Sequence, residues 1–219
     1  MDKTTAIVFD LDGTLADSSY CILAATQLVS RNLGVPALDD SEVRKRIGQP
    51  LHLMLAELFN IQGEVLQQSV VDYSTEYVRL AKTDECLFEG SIPLLKELKQ
   101  SELKLAIATG KSQQGAENSA NRLGLRPWFD SIHGILPGTP GKPDPAVLLR
   151  AMTALNVAPK NCIMVGDTTF DMDLAHAVGV KTVAVDWGHH SEELLKGRNP
   201  SYFASDFKGL LDWILTQTT

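Results

Sequence analysis

The chain has 219 residues, 44% hydrophobic and 21% charged, a composition that excludes a largely disordered polymer and allows a sizeable buried core. Its 27 acidic and 20 basic residues give a formal charge of −7, so general binding to nucleic acid or to an anionic membrane surface is not favoured, and an anionic ligand needs a locally positive site. Cys21, Cys86 and Cys162 are odd in number, far apart and in no C-x-x-C pattern, which argues against a disulfide framework or a zinc site and reads as buried free thiols.

Met1 to Thr5 run directly into an apolar strand without a long signal region, and no run is long enough to span a membrane, so a soluble cytoplasmic protein is expected. That strand, Ala6-Ile7-Val8-Phe9, ends in Asp10-Leu11-Asp12-Gly13-Thr14. Alternate side chains of a strand share a face, so Asp10 and Asp12 are expected to converge, and two close anions repel unless a proton or a hard cation such as Mg²⁺ lies between them. Taken alone, the pair fits solvated turn residues equally well. An EF-hand fits poorly, because Gly13 follows at once and the lead-in is a strand.

From 17 to 83 apolar residues recur at helical spacing with no strand between them: Ile22, Ala25, Leu28 and Val29; Leu51, Met54, Leu55 and Leu58; Val70, Tyr73, Tyr77 and Leu80. This predicts a small helical unit inserted after the first strand, with Tyr73, Tyr77 and Leu80 read as its core. The basic stretch Arg44-Lys45-Arg46-Ile47-Gly48-Gln49-Pro50 has two readings, a solvated helix face or a place where Arg46 or Gln49 meets a second anionic group of a ligand.

Beyond residue 103, β-branched runs alternate with helical stretches, the pattern of a parallel sheet with helices on both faces. Strands are expected at 103–109, 131–135, 162–167 and 181–186. Asp144 and Pro145 open a helix carrying Leu148, Ala151, Met152 and Leu155, and Asp206 caps a last helix striped with Phe207, Leu210, Leu211, Ile214 and Leu215. Open α/β sheets hold ligands at strand ends, where three further segments fall. Thr109-Gly110-Lys111 offers a hydroxyl and, at an expected helix start, backbone amides for phosphate oxygens, or else an N-cap and a glycine turn. Gly141-Lys142-Pro143-Asp144-Pro145 holds a lysine between turn residues, and Gly166-Asp167-Thr168-Thr169-Phe170-Asp171 brings two more carboxylates, with Asp167 also readable as a helix cap. His189 and His190, behind the 181–186 strand, read as loop histidines, since adjacent side chains rarely converge on one ion.

Together these segments resemble the haloacid dehalogenase-like hydrolase superfamily. The first motif, D-x-D-G-T, corresponds to Asp10 to Thr14, the second to Thr109, the third to Lys142, and the fourth, G-D-x-x-x-D, to Gly166 to Asp171, in the family's order and over essentially the whole chain. Within it the chain looks most like the phosphoglycolate phosphatase-like branch. The resemblance implies an α/β fold: a Rossmann-like parallel sheet core with helices on both faces over 1–16 and 84–219, and an inserted α-helical cap over 17–83.

It also implies a Mg²⁺-dependent phosphatase that hydrolyses a small phosphate monoester, phosphoglycolate-like or related, through an aspartyl-phosphate. Asp10 is the expected nucleophile and Asp12 the acid/base, with Thr14 helping to position it. Thr109, Gly110 and Lys142 are expected to hold the phosphate, while Asp10, the Asp12 carbonyl, Asp167 and Asp171 hold Mg²⁺, the last directly or through water. The expected partner is a small phosphorylated metabolite, with no nucleic acid and no membrane. A phosphomutase, a pyrophosphatase and a noncatalytic module of the same fold are the alternatives. A haloacid dehalogenase is disfavoured because such relatives lack the second acid, present here as Asp12.

Overall fold

Four consecutive apolar residues, Ala6–Phe9, form strand β1, buried on every side chain, as a strand flanked on both edges and both faces must be. A computed structural model of the protein describes residues 3–218; Met1, Asp2 and Thr219, which belong to the expected N-terminal lead and to the ends of the expected core, lie outside the described residues. After β1 come β2 (Ala16–Asp17), α1 (Ser19–Leu33), α2 (Asp40–Arg44), α3 (Leu51–Phe59), α4 (Gly63–Leu80) and β3 (Cys86–Leu87). Strictly alternating units follow: α5 (Ser91–Gln100), β4 (Lys104–Ser112), α6 (Gln113–Arg122), β5 (Ser131–Ile135), α7 (Ala146–Leu155), β6 (Cys162–Gly166), α8 (Thr169–His176), β7 (Lys181–Val185), α9 (Glu192–Lys196), β8 (Tyr202–Ala204) and α10 (Phe207–Thr216).

The six-stranded sheet runs β5-β4-β1-β6-β7-β8, and each neighbouring pair is parallel. Ile7 pairs with Leu105 on one side of β1 and with Ile163 on the other. Period-two alternation divides the core between the two faces. Ile7, Phe9, Leu105 and Ile107 pack with Leu94, Leu95 and Leu98 of α5, Ala116 and Ala120 of α6, and Leu210 and Ile214 of α10. Ala6, Val8, Ala106 and Met164 pack on the other side with α7 and α8. This is a Rossmann-like α/β sheet with helices on both faces. All strands of a parallel sheet point one way, so the carboxyl ends of β1, β4 and β6 deliver Asp10, Thr109 and Asp167 to a single edge.

Helices α1 to α4 share a separate core in which Ile22, Ala25, Val29, Met54, Leu55, Tyr73, Tyr77 and Leu80 meet. The chain leaves the sheet through β2 and returns through β3, which pair antiparallel, Ala16 opposite Leu87. Among the described residues no helix is long and apolar enough to cross a membrane.

Several local expectations are corrected. The strand expected to stop at Thr109 continues to Ser112, whose Oγ accepts from Gly115 N–H and caps α6, so Gly110 lies in extended chain and not at a helix start. Asp144 is not the cap of α7; its Oδ1 accepts from the N–H of Ala146, the first residue of the helix, and Pro145 occupies the cap position. Nor does Asp167 cap α8: Thr168 does, in a capping box with Asp171. Cys21 and Cys162 are buried, but Cys86 is exposed, because β3 is one arm of the two-stranded link and has no sheet above it.

Candidate active site

Beyond Phe9 the chain leaves the sheet in a tight loop, with Leu15 and Ala16 N–H both bonded to Leu11 C=O at 3.0 and 2.9 Å and Gly13 N–H to Ala16 C=O at 2.8 Å. Gly13 sits at φ +79°, and a Cβ there would run into the Asp167 carboxylate and the His189 ring, so both backbone and space demand glycine. The bend separates the two acids that a continuous strand would have aligned: Asp10 joins Asp167 and Asp171, while the Asp12 carboxylate lies outside that group.

Asp10, Asp167 and Asp171 each present a ligand atom within 4.8 Å of the others, and all three are buried. Lys142, brought up by the segment after β5 through a cis Lys142–Pro143 peptide, lies 2.9 Å from Asp10 Oδ1 and donates to Asp171 Oδ1 at 2.6 Å, with its own side chain fully buried. Asp171 Oδ2 accepts from Thr168 N–H and Oγ, so one carboxylate both caps α8 and anchors the lysine. Thr14 Oγ1 donates to Asp167 Oδ1 at 2.8 Å, and His189 N–H to Oδ2 at 2.8 Å. Thr14, expected to position Asp12, thus positions Asp167, 153 residues away along the chain.

One lysine does not balance three buried acids. Burial pushes the Asp10 carboxyl up to about 7 against the pull of Lys142, with Asp171 adding to the rise. Burial, then the charges of Asp10 and Asp171, hold Asp167 well above the usual carboxylate range. For Lys142, burial works against the ammonium but Asp10 and Asp171 outweigh it, so the amine stays charged. Buried carboxylates that repel one another suit a hard divalent cation, which binds oxygen donors and supplies the missing positive charge.

Asp12 belongs to a second network. Its Oδ2 pairs with Lys111 Nζ at 2.9 Å, and Lys111 also donates to the Tyr77 hydroxyl at 2.9 Å and lies 4.1 Å from the centre of that ring. Tyr77 O–H donates to Glu85, which is also paired with Arg122. Burial alone would raise Asp12; Lys111 and Ser18 together outweigh it and hold the carboxyl below its usual range. Sequence reasoning passed over Lys111. The signal was available in the two-residue spacing from Thr109, which places both side chains on one face of β4 once the strand is known to reach Ser112.

Thr109 is buried beside Asp10, and Gly110 lies under the loop Gly48-Gln49-Pro50 of the helical unit, where a Cβ would stand 2.5 Å from Gly48 C=O. Gly141 meets Pro50 in the same way, so this loop closes one wall of a cavity of about 750 Å³ lined by Asp10, Asp12, Thr109 and Lys111. Gln49 lines the cavity, whereas Arg46 is drawn to Glu42 and Glu57 at 3.3 and 3.4 Å. Tyr73 and Tyr77 are core residues of the helical unit and also face the cavity. His189 and His190 lie in the loop after β7, both buried. Burial lowers His189 to about 4, and His190 Nδ1 accepts from Thr169 N–H at 3.1 Å.

A family model for haloacid dehalogenase-like hydrolases matches residues 7–185. The chain belongs to that family of hydrolases, and relatives of it are named as phosphatases. It is 33% identical over 211 residues, 95% of this chain and 94% of the other, to a protein of Caldanaerobacter subterraneus subsp. tengcongensis named as a pyrophosphatase, PpaX. Over 209 residues, 93% and 91% of the two chains, it is 31% identical to an N-acetylmuramic acid 6-phosphate phosphatase of Pseudomonas putida. A solved haloacid dehalogenase-like hydrolase of Streptococcus pneumoniae superposes with a TM-score of 0.87 at 34% identity, covering 97% of this chain and 99% of that one.

Proposed function

We propose that the protein hydrolyses a small phosphate monoester by way of a phosphorylated Asp10, with Mg²⁺ held by Asp10, Asp167, Asp171 and the Asp12 carbonyl. The observation that carries this reading is the trio of buried carboxylates converging within 4.8 Å and opposed by a single lysine. When bound, Mg²⁺ supplies positive charge that offsets these acids and draws charge from the phosphate.

Everything else falls to side chains of the chain itself. Asp10 forms a bond to phosphorus as the bond to the ester oxygen breaks, and the departing alcohol takes a proton from Asp12. Water then attacks the phosphorus of the aspartyl-phosphate, gives a proton to Asp12 and releases inorganic phosphate with the Asp10 carboxylate regenerated. Paired with Lys111, Asp12 is held as a carboxylate in the free site, the form that activates water; for the first step it takes up a proton as the negatively charged substrate enters and raises its proton affinity. In this reading Lys142, 2.9 Å from Asp10 Oδ1, and the buried Thr109 hydroxyl stabilise charge on the transferring group, which is most of what phosphoryl transfer asks of a protein.

Phosphate release from an aryl phosphate, measured in Mg²⁺ and after exhaustive chelation, tests the proposal: release that needs the ion supports it, and full turnover in chelator contradicts it. A pyrophosphatase reading draws on the name of two relatives. The cavity speaks against it, as argued next.

A further inference from the structure

Building on the phosphatase reading, we infer that the group esterified to the phosphate is a neutral, largely apolar alcohol, bulkier than a two-carbon acid, and carries no second anion. The cavity reaching away from Asp10 and Asp12 measures about 750 Å³, within the range that holds a drug-sized molecule. Its wall beyond the carboxylates is built from Leu51, Met54, Val70, Tyr73, Leu136 and Pro137. Contact with such a surface rewards apolar area and penalises an unpaired charge.

The cations confirm the direction. Among the described residues lining the cavity, the lysines and arginines are Lys111 and Arg122. Lys111 is committed to Asp12 and Tyr77, and Arg122 to Glu85 and, at 3.1 Å, to Ser119 Oγ. The remaining basic side chain on the wall is the exposed imidazole of His52. Arg46, which with Gln49 is one of the two candidates in the sequence for meeting a second anionic group, is turned to Glu42 and Glu57. Even with a divalent ion bound, its charge together with Lys142 and Lys111 only matches the four carboxylates Asp10, Asp12, Asp167 and Asp171. The phosphate dianion is then already in excess, and a second anion a few ångströms further along meets repulsion with nothing to offset it.

What the wall does offer is neutral polarity. Ser74, Gln114 and Asn118 stand on it, and Gln49 Oε1 is buried with no hydrogen-bond partner, an acceptor that a substrate hydroxyl or N–H would satisfy. Carboxylates such as that of phosphoglycolate, and the second phosphate of pyrophosphate, satisfy neither the apolar wall nor this acceptor.

The test uses the full-length protein with Mg²⁺ and four probes: phenethyl phosphate, its para-carboxy analogue, phosphoglycolate and pyrophosphate. The first pair differs by one remote charge at nearly constant leaving-group chemistry. Wild type is expected to show a kcat/KM for phenethyl phosphate at least about 10-fold above that of the para-carboxy analogue, and above those of the two small dianionic compounds. Val78→Lys, which places a cation at the cavity mouth on α4, is expected to narrow the ratio within the matched pair. Parity or reversal within the pair in wild type, faster turnover of phosphoglycolate or pyrophosphate, or a ratio unmoved by Val78→Lys overturns the inference while leaving the phosphatase reading intact. No phosphate release from any probe that is lost in Asp10→Asn overturns the phosphatase reading itself.

Discussion

Replacing Lys142 with Met keeps an unbranched apolar stem of similar length and removes only the ammonium, so its effect isolates the charge. In the wild type that ammonium lies 2.6 Å from Asp171 Oδ1 and 2.9 Å from Asp10 Oδ1, with its side chain wholly out of solvent. Breaking a buried pair by deleting one partner costs about 3–5 kcal/mol, because the abandoned carboxylates keep their desolvation penalty. For a chain of this size each kcal/mol moves the melting temperature by roughly 2–4 °C, so chelated Lys142→Met should melt about 6–20 °C below wild type near pH 8. The gap should shrink as pH falls, since protonation neutralises the stranded acids, and saturating Mg²⁺ should recover part of it. Turnover in Mg²⁺ should still drop by on the order of 10²-fold, since the ion does not replace a donor aimed at the transferring group. Thermal unfolding with and without chelator, alongside phosphate release, reads both quantities. Unchanged melting in chelator near pH 8, or wild-type turnover, would refute the assignment of Lys142 as the counter-charge of this cluster.

Three further outcomes follow from the same geometry. Asp10 moves from an ordinary 3.8 to about 7, so the stability that its proton contributes is fully present below about pH 4 and is lost as pH rises through about 7; the Asp167 shift has the same sign. Chelated protein should therefore melt lower as pH climbs over that window, and the Mg²⁺-induced rise in melting temperature should be larger at about pH 8 than at about pH 5; a rise independent of pH contradicts this. Asp12→Asn should slow an alkyl phosphate by roughly 10²–10⁴-fold and an aryl phosphate less, because the better leaving group needs less of a proton; equal losses would remove Asp12 from the acid role. Gly110→Ala puts a methyl 2.5 Å from Gly48 C=O and 3.2 Å from Gln49 C=O, and overpacking of about 1–3 kcal/mol should lift the Gly48-Gln49-Pro50 loop, lowering the melting temperature by about 2–12 °C and kcat/KM by about 10-fold or more; unchanged kinetics would separate that loop from catalysis.

The parts of the fold that local pattern encodes were legible beforehand. Ala6 to Phe9 and Cys162 to Gly166 are apolar runs of strand length, Lys181 to Val185 is a β-branched one, and Leu148, Ala151, Met152 and Leu155 repeat at helical spacing, so the parallel sheet and its flanking helices could be read from the chain. What escaped reading depends on direction in space. Whether Asp12 turns towards Asp10 or towards Lys111 is decided by the loop bonded to Leu11 C=O, and whether Thr14 serves Asp12 or Asp167 is decided by a partner 153 residues away. The Thr109-Gly110-Lys111 segment was read as a strand end because glycine suggests a turn. In the structure that glycine answers a different need, room for the loop of the helical unit, and the strand runs on. Short edge elements such as β2, β3 and β8 carry too few residues for any period to emerge.

The central claim is that Asp10 carries the phosphoryl group. Acid-quenched reactions with Mg²⁺ and phenethyl phosphate, digested and examined by mass spectrometry, should show one phosphoryl group on the peptide containing Asp10, absent when Asp10 is Asn and absent when the metal is chelated. Steady turnover with that peptide unmodified at every time point, or wild-type turnover by Asp10→Asn, would contradict the account.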